Sequence, residues 1–194
     1  MNDFNFNTTP GIIFGNGVSF SSCDRIIDKL GDNIFLITDA DLTKIGLNKP
    51  IINELSKSSN LEVFDDVESD PSKKTLIKAL ERAKNFKPTG ILGFGGGSSM
   101  DIAKLVSLLI GTDQDIENIW GVGNAKGPRL PLILIPTTAG TGSEVTPISI
   151  ITLEKDEKKG VSSPVILPDL AVLDPELTLN LPSDITAATG IDAM

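Results

Sequence analysis

Gly93-Phe94-Gly95-Gly96-Gly97-Ser98-Ser99-Met100-Asp101 is the stretch on which the reading of this chain turns. It follows the short apolar run Gly90-Ile91-Leu92 and precedes Ile102-Ala103-Lys104-Leu105-Val106-Ser107-Leu108-Leu109-Ile110, which is apolar at helical spacing. The order is therefore strand, glycine turn, helix. Glycines let a backbone take positive φ and let a bulky anion approach the main chain. The helix behind them presents unpaired N–H groups and a partial positive charge. Together they make a phosphate cradle, suited most simply to the pyrophosphate of a dinucleotide. The spacing is not G-x-G-x-x-G, because Met100 stands at the third glycine position, and no Gly-Lys-Ser/Thr of a P-loop follows. A turn that only closes a strand onto a helix has the same composition. Asp101 fits either a first-turn acid complementing the helix dipole or a hydrogen-bond partner of a ligand.

The whole chain sets the outer limits. Its 194 residues suffice for one large domain or one and a half, with enough chain to bury a core. With 40% apolar and 22% charged residues, the composition is that of a globular protein rather than a disordered one. A net charge of −9 argues against nucleic acid and against anionic membrane surfaces as partners. Cys23 stands alone, so no disulfide framework is expected and a reducing, cytoplasmic setting is the expectation. Met1-Asn2-Asp3-Phe4-Asn5-Phe6-Asn7 has neither a basic region nor an apolar run, so no signal peptide is expected. The sequence contains no histidine, which excludes a Ser-His-Asp triad and imidazole metal ligands from this chain.

Working outward, Pro10 to Gly15 reads as a short strand. Ser19 to Leu30 reads as a helix with Gly31 as its C-cap, and Asn33-Ile34-Phe35-Leu36-Ile37-Thr38-Asp39 as a buried parallel strand ending in an acid. A helix through Ile51, Ile52 and Leu55 and a strand from Leu61 to Asp65 follow. Asp70-Pro71 predicts the start of the next helix, with Asp70 as N-cap and Pro71 at the first helical position. After the glycine unit come a loose loop from Gly121 to Gly127 and a strand from Leu130 to Ile135. That strand runs into Pro136-Thr137-Thr138-Ala139-Gly140-Thr141-Gly142-Ser143-Glu144. Beyond it, Val145 to Leu153 and Val165 to Leu173 read as two extended segments around the charged turn Glu154 to Lys159.

Strands alternating with helices up to about residue 136 predict a Rossmann-like α/β fold. Its parallel sheet would carry helices on both faces and a C-terminal β-hairpin extension. Ligands of such sheets sit beyond the carboxyl ends of the strands. Four loops fall there: Asp39 to Asp41, Glu68 to Ser72, Gly95 to Asp101, and Thr137 to Glu144. An acid after a strand suits a ribose 2′-hydroxyl and repels a 2′-phosphate, and it equally suits a plain helix N-cap. The hydroxyls of the Thr137 loop suit phosphate or a nicotinamide, or simply a polar turn.

These residues resemble the iron-dependent, or group III, alcohol dehydrogenase family. The matching motifs are Gly95-Gly96-Gly97-Ser98 with Asp101 and Lys104, and Ile135 to Thr146. Leu167-Pro168-Asp169, Asp174-Pro175-Glu176-Leu177-Thr178 and Thr189-Gly190-Ile191-Asp192-Ala193 complete the set. The resemblance implies NAD(P)-linked interconversion of alcohols with aldehydes or ketones at a divalent metal between two domains. Carried over by motif, Asp39 would meet the adenosine ribose and favour NAD over NADP. Gly96, Gly97 and Ser98 would hold the pyrophosphate, with Asp101 beside them. Thr137, Thr138 and Thr141 would line the cofactor. Asp70 stands where the family often has an asparagine near the cofactor. Lys159 resembles a cofactor-contacting lysine, although membership of a solvated charge run describes it equally well.

Asp192 matches the family's first metal ligand, and the remaining ligands in the family are histidines, of which this sequence has none. The expectation is an NAD(P)-binding domain over residues 1–181, with residues 182–194 as the start of a helical metal-binding domain whose remainder is missing. Iron or another divalent metal would then bind only in the full-length enzyme, and this chain alone would be inactive. A small alcohol or aldehyde is the implied substrate, and a homodimer through the N-terminal strand the implied assembly. A non-catalytic nucleotide-binding module, and a polyol dehydrogenase or metal-dependent lyase of the same superfamily, stand as alternatives.

Overall fold

In a computed structural model, which describes residues 6–154 and 157–194, the chain folds around a six-stranded sheet. The strands are β1 (Ile12–Phe14), β2 (Asn33–Asp39), β3 (Asn60–Val67), β4 (Gly90–Gly95), β6 (Leu132–Pro136) and β9 (Leu170–Leu173). Their order is β1-β9-β6-β4-β2-β3, and every pairing in it is parallel. The order reverses direction between β2 and β4, the place where doubly wound sheets open a crevice.

Both faces of this sheet are covered, which is why its inner strands are apolar at nearly every position. Ile34 and Leu36 of β2, with Leu92, Phe94, Ile133 and Ile135, pack against helix α2 (Cys23–Leu30) and helix α4 (Lys49–Leu55). Phe35 and Ile37, with Ile91, Leu132 and Leu134, face the opposite way, toward helix α5 (Lys73–Phe86) and helix α6 (Gly97–Gly111). Helix α6 is buried almost all round, with ten of its residues buried. Each large apolar side chain so buried contributes roughly 1.5–3 kcal/mol. Among the described residues, no helix is long and apolar enough to cross a membrane.

The second half of the chain departs from expectation. The charged run does not merely turn the chain: strand β8 (Lys158–Ser162) begins within it and pairs antiparallel with β7 (Ile148–Thr152). The segment Gly121 to Gly127, expected as a loose loop, contributes the two-residue strand β5 (Gly121–Val122) to the other side of β8. The segment Val165 to Leu173 is not the hairpin's second arm. It forms a turn of 3-10 helix at Pro164–Ile166 and then β9, which inserts into the main sheet between β1 and β6. The expected helix from Ser19 to Leu30 is split at Ser22 into α1 (Val18–Ser21) and α2.

The Asp70 expectation is also overturned. Helix α5 begins at Lys73 with Ser72 as N-cap, whose hydroxyl accepts from Thr75 N at 3.2 Å. Glu68 reinforces that start by accepting from Ser72 N at 2.9 Å and from the Thr75 hydroxyl at 2.7 Å. Asp70 sits outside the helix with φ of +54°, and Lys158 donates to its carboxylate at 2.6 Å. The Pro71 carbonyl accepts from Thr152 N at 2.9 Å, so the β7–β8 hairpin claims the backbone that a helix would have used. A last helix, α7, spans Ser183–Asp192.

Candidate cofactor-binding cleft

All four loops singled out from the sequence meet at one cleft of about 880 Å³ beyond the carboxyl ends of β2, β3, β4 and β6. Asp39, Ala40 and Asp41 form one side, Glu68 and Ser69 the next, and Gly96, Gly97, Ser98 and Ser99 the floor. Thr137 and Thr138 close the cleft from β6. Its remaining wall is apolar and comes from residues not expected there: Leu177, Leu181, Pro182 and Ile185, at and before the start of α7.

The floor is built by the glycine turn. Gly95 has φ of +152°, and a Cβ there would lie 2.7 Å from Ser99 Oγ and 2.8 Å from Ser99 Cβ. The positive φ expected of the turn is thus concentrated at Gly95, while Gly97 is the first residue of helix α6. At Gly97 the requirement is space: a Cβ would come within 3.2 Å of Thr141 Cγ2. Gly96, the N-cap of α6, makes no side-chain capping bond. The first turn of a fifteen-residue helix therefore opens onto the cleft without the side-chain cap that Asp39 and Ser72 give to the two neighbouring helices.

Asp39 takes the N-cap role and keeps its second carboxylate oxygen on the side of the glycine turn. Its Oδ1 accepts from Leu42 N at 2.9 Å and caps helix α3 (Ala40–Ile45). Its Oδ2 faces the glycine turn, 3.4 Å from where a Cβ on Gly95 would be. Burial raises the Asp39 carboxyl above its usual value, the Leu42 amide opposes the shift, and Asp41 adds to it. On the facing wall Thr138 Oγ1 is buried without a hydrogen-bond partner. A hydroxyl left this way is costly unless something in the cleft satisfies it. The uncapped helix start, the close-approach glycines and the unpartnered hydroxyl are the features a dinucleotide needs, so the residues fit that group.

Other expected site residues lie elsewhere. Thr141 does not line the cleft but stands behind Gly97. Asp70 is tied to Lys158, outside the cleft lining. Lys159 lies opposite Ile151 on β8, on the strand face shared with buried Val161. Its charge assists Lys73, which hydrogen-bonds Glu117 and is the main cause of that carboxyl's lowered pKa. Asp101 is turned into the protein. Its Oδ1 accepts from Ser143 Oγ at 2.7 Å and its Oδ2 from Ile150 N at 2.9 Å, with Lys104 Nζ 3.8 Å away. The signal for this was in the sequence: a lone lysine in an otherwise apolar helix, one turn after an aspartate.

Asp192 is the last residue of α7. The sequence has no histidine, and among the described residues no group of three or more His, Cys, Asp or Glu side chains is placed to hold a metal ion. Asp169 and Asp174 are engaged internally. Arg129 donates to Asp169 at 2.7 Å, while Asp174 accepts from Gly17 N, Ser19 N and Ser19 Oγ at 3.0, 3.1 and 2.6 Å.

A parallel sheet with a glycine turn and an acid at its carboxyl edge defines a Rossmann-like α/β unit. The family model of iron-containing alcohol dehydrogenase matches residues 9–175, and the chain belongs to that family. It is 37% identical over 188 residues to the sulfoacetaldehyde reductase of Bilophila wadsworthia, covering 96% of this chain and 49% of that protein. It is 39% identical to long-chain-alcohol dehydrogenase 1 of Geobacillus thermodenitrificans, covering 91% of this chain and 47% of that one. The chain thus spans about half the length of these curated relatives. Among solved structures, a 1,3-propanediol oxidoreductase superposes with a TM-score of 0.92 at 28% identity, over 98% of this chain and 50% of that one. The sulfoacetaldehyde reductase of Bifidobacterium kashiwanohense, solved in complex with NAD+, gives 0.87 at 32% identity, over 99% and 51%.

Proposed function

We propose that this chain is the NAD-binding part of an NAD-dependent oxidoreductase that interconverts alcohols with aldehydes or ketones. The observation that carries the reading is the meeting of Asp39, the uncapped start of α6 and the Thr138 hydroxyl in one cleft. The NAD+ complex of the Bifidobacterium relative supports it. In this reading the amides of Gly97 and Ser98 hold the pyrophosphate, Asp39 Oδ2 accepts from the adenosine ribose, and Thr138 donates to the cofactor it faces. The nicotinamide, when bound, supplies the hydride chemistry. The chain's own residues bind and orient it, and the apolar wall of Leu177, Leu181 and Ile185 keeps water from one side.

The same reading makes NAD the better ligand than NADP, because a 2′-phosphate beside the Asp39 carboxylate is repelled. Calorimetric titration of both cofactors tests this. NAD should bind more tightly, and Asp39→Gly should narrow the gap. NADP binding as tightly as NAD would overturn the role of Asp39. Since the donors for a catalytic metal are not all in this chain, alcohol-dependent NAD reduction by it alone should stay at background. Strand β1 forms an edge of the sheet with Ile12 and Phe14 exposed. Such an edge suits pairing with a second copy, which sedimentation would report as a dimer. A cytoplasmic location accords with the single, buried free cysteine.

A further inference from the structure

Lys104 is fully buried, and no other lysine or arginine among the described residues is. An ammonium without water is costly unless its donors are met. Here all three are: Nζ donates to Ser143 Oγ at 2.8 Å, to the Thr146 carbonyl at 3.0 Å and to the Ile148 carbonyl at 2.7 Å. Asp101, one turn earlier on α6, holds the same segment through Ser143 Oγ and Ile150 N. The Asp101 carbonyl also accepts from Ser149 Oγ at 3.1 Å. Two neighbouring side chains of α6 thus grip residues 143–150, the stretch that leads from the hydroxyl loop into β7. Buried ion pairs in general add little net stability over apolar side chains of similar volume. What the pair adds is direction: it fixes where the loop sits along the helix.

That helix is the one whose first turn floors the cleft. Asp101 lies four residues after Gly97, so the amides offered to a ligand and the grip on the loop share one rigid element. Thr141, just upstream of the gripped segment, packs 3.2 Å from the Cβ position of Gly97. We propose that Asp101 and Lys104 are positioning residues for the cleft: together they clamp the hydroxyl loop and β7 to α6, and so hold Thr138 beside Gly96 and Thr141 against Gly97. The proposal rests on the reading that the cleft takes NAD.

The charged groups around Lys104 are Asp101 on its own helix and Glu144 on the facing segment. Burial lowers the lysine to about 8 against the opposing pull of those carboxylates, and burial raises the Asp101 carboxyl. Above about pH 8 the amine loses its charge and one of three donors, and the clamp slackens. The sign separates this from unfolding. A lysine whose folded pKa lies below its unfolded value of about 10.4 favours the folded chain on losing its proton, so the fold is not weakened in that window.

The test is NAD titration of the whole chain between pH 6.5 and 9.5, beside hydrogen–deuterium exchange over residues 141–152, in the parent and in Lys104→Met. Because Lys104→Met leaves the Asp101 carboxylate buried and unpaired, the double variant Asp101→Asn/Lys104→Met is measured with it. The proposal expects a folded double variant with NAD affinity reduced about tenfold and faster exchange over 141–152. It also expects a parental affinity that falls through about pH 8 and a flat profile in both variants. Parental affinity and parental exchange in a folded variant would overturn it. If the parent itself binds no NAD, the cofactor reading falls, and the exchange data alone still decide the clamp.

Discussion

The backbone of Gly140 lies directly against that of Thr189: the Thr189 carbonyl oxygen occupies the space a Cβ on residue 140 would need. Gly140 also has φ of +139°, a conformation that side-chain-bearing residues rarely adopt. Helix α7 is thereby seated on the hydroxyl loop that closes the cleft, and Leu181, Pro182 and Ile185, which precede that contact, belong to the apolar wall.

Gly140→Ala should therefore unseat α7. The strain alone costs roughly 1–3 kcal/mol, and the backbone clash adds to it. Most of the α7 surface is exposed, so the helix should come away locally while the sheet persists. Limited proteolysis would show rapid cleavage within residues 180–194 and an intact core. A variant as resistant there as the parent would contradict the seating.

Gly95 and Gly97 should respond differently to substitution. At Gly95 the positive φ and the contact with Ser99 predict a loss of fold stability of roughly 1–3 kcal/mol on change to alanine, seen as a lower Tm. At Gly97 the helical backbone accepts a side chain, so Gly97→Val should keep the fold with a small loss for crowding Thr141. Its NAD binding should fall sharply, because the new methyl groups occupy the approach to the α6 amides. Equal effects of the two substitutions on Tm would contradict this division.

Asp174 should shape the acid limb of the stability curve. Burial by itself would raise its pKa, but the hydroxyl and amide of Ser19 and the amides of Gly17 and Glu176 outweigh it and hold the carboxyl below its ordinary value. A carboxylate with a depressed folded pKa contributes stability that is present above its unfolded value, about 3.9, and is lost as pH falls through the folded one. Asp174→Asn should thus be destabilised by about 1–3 kcal/mol at neutral pH. The gap from the parent should close below about pH 4. Denaturant unfolding at several pH values measures it, and a gap that stays constant into acid would contradict the assignment.

Much of the architecture was legible because both-face burial leaves a plain trace. The runs of β2, β4 and β6 are apolar without alternation, and the glycine turn follows the middle one of the three in space. The four loops were legible for the same reason, since strand polarity alone sends them to one edge. Less legible was anything decided by distant contacts. Asp70-Pro71 has the local chemistry of a helix start, yet Glu68, Ser72 and the hairpin's Thr152 compete for that backbone and win. The four residues of β9 look like a hairpin arm until β1 and β6 are seen flanking them. Asp101 reads equally as a first-turn acid or a ligand contact, because its partners, Ser143 and Ile150, lie more than forty residues away in sequence.

The most direct measurement is a map of amide chemical-shift changes on adding NAD to the isotope-labelled chain. The changes should concentrate at Gly96, Gly97 and Ser98, with Asp39 and Thr138 beside them, and should saturate at one NAD per chain. No saturable change, or changes centred at the far edge of the sheet around the hollow lined by Arg25, Lys29 and Asp169, would contradict the assignment of this cleft.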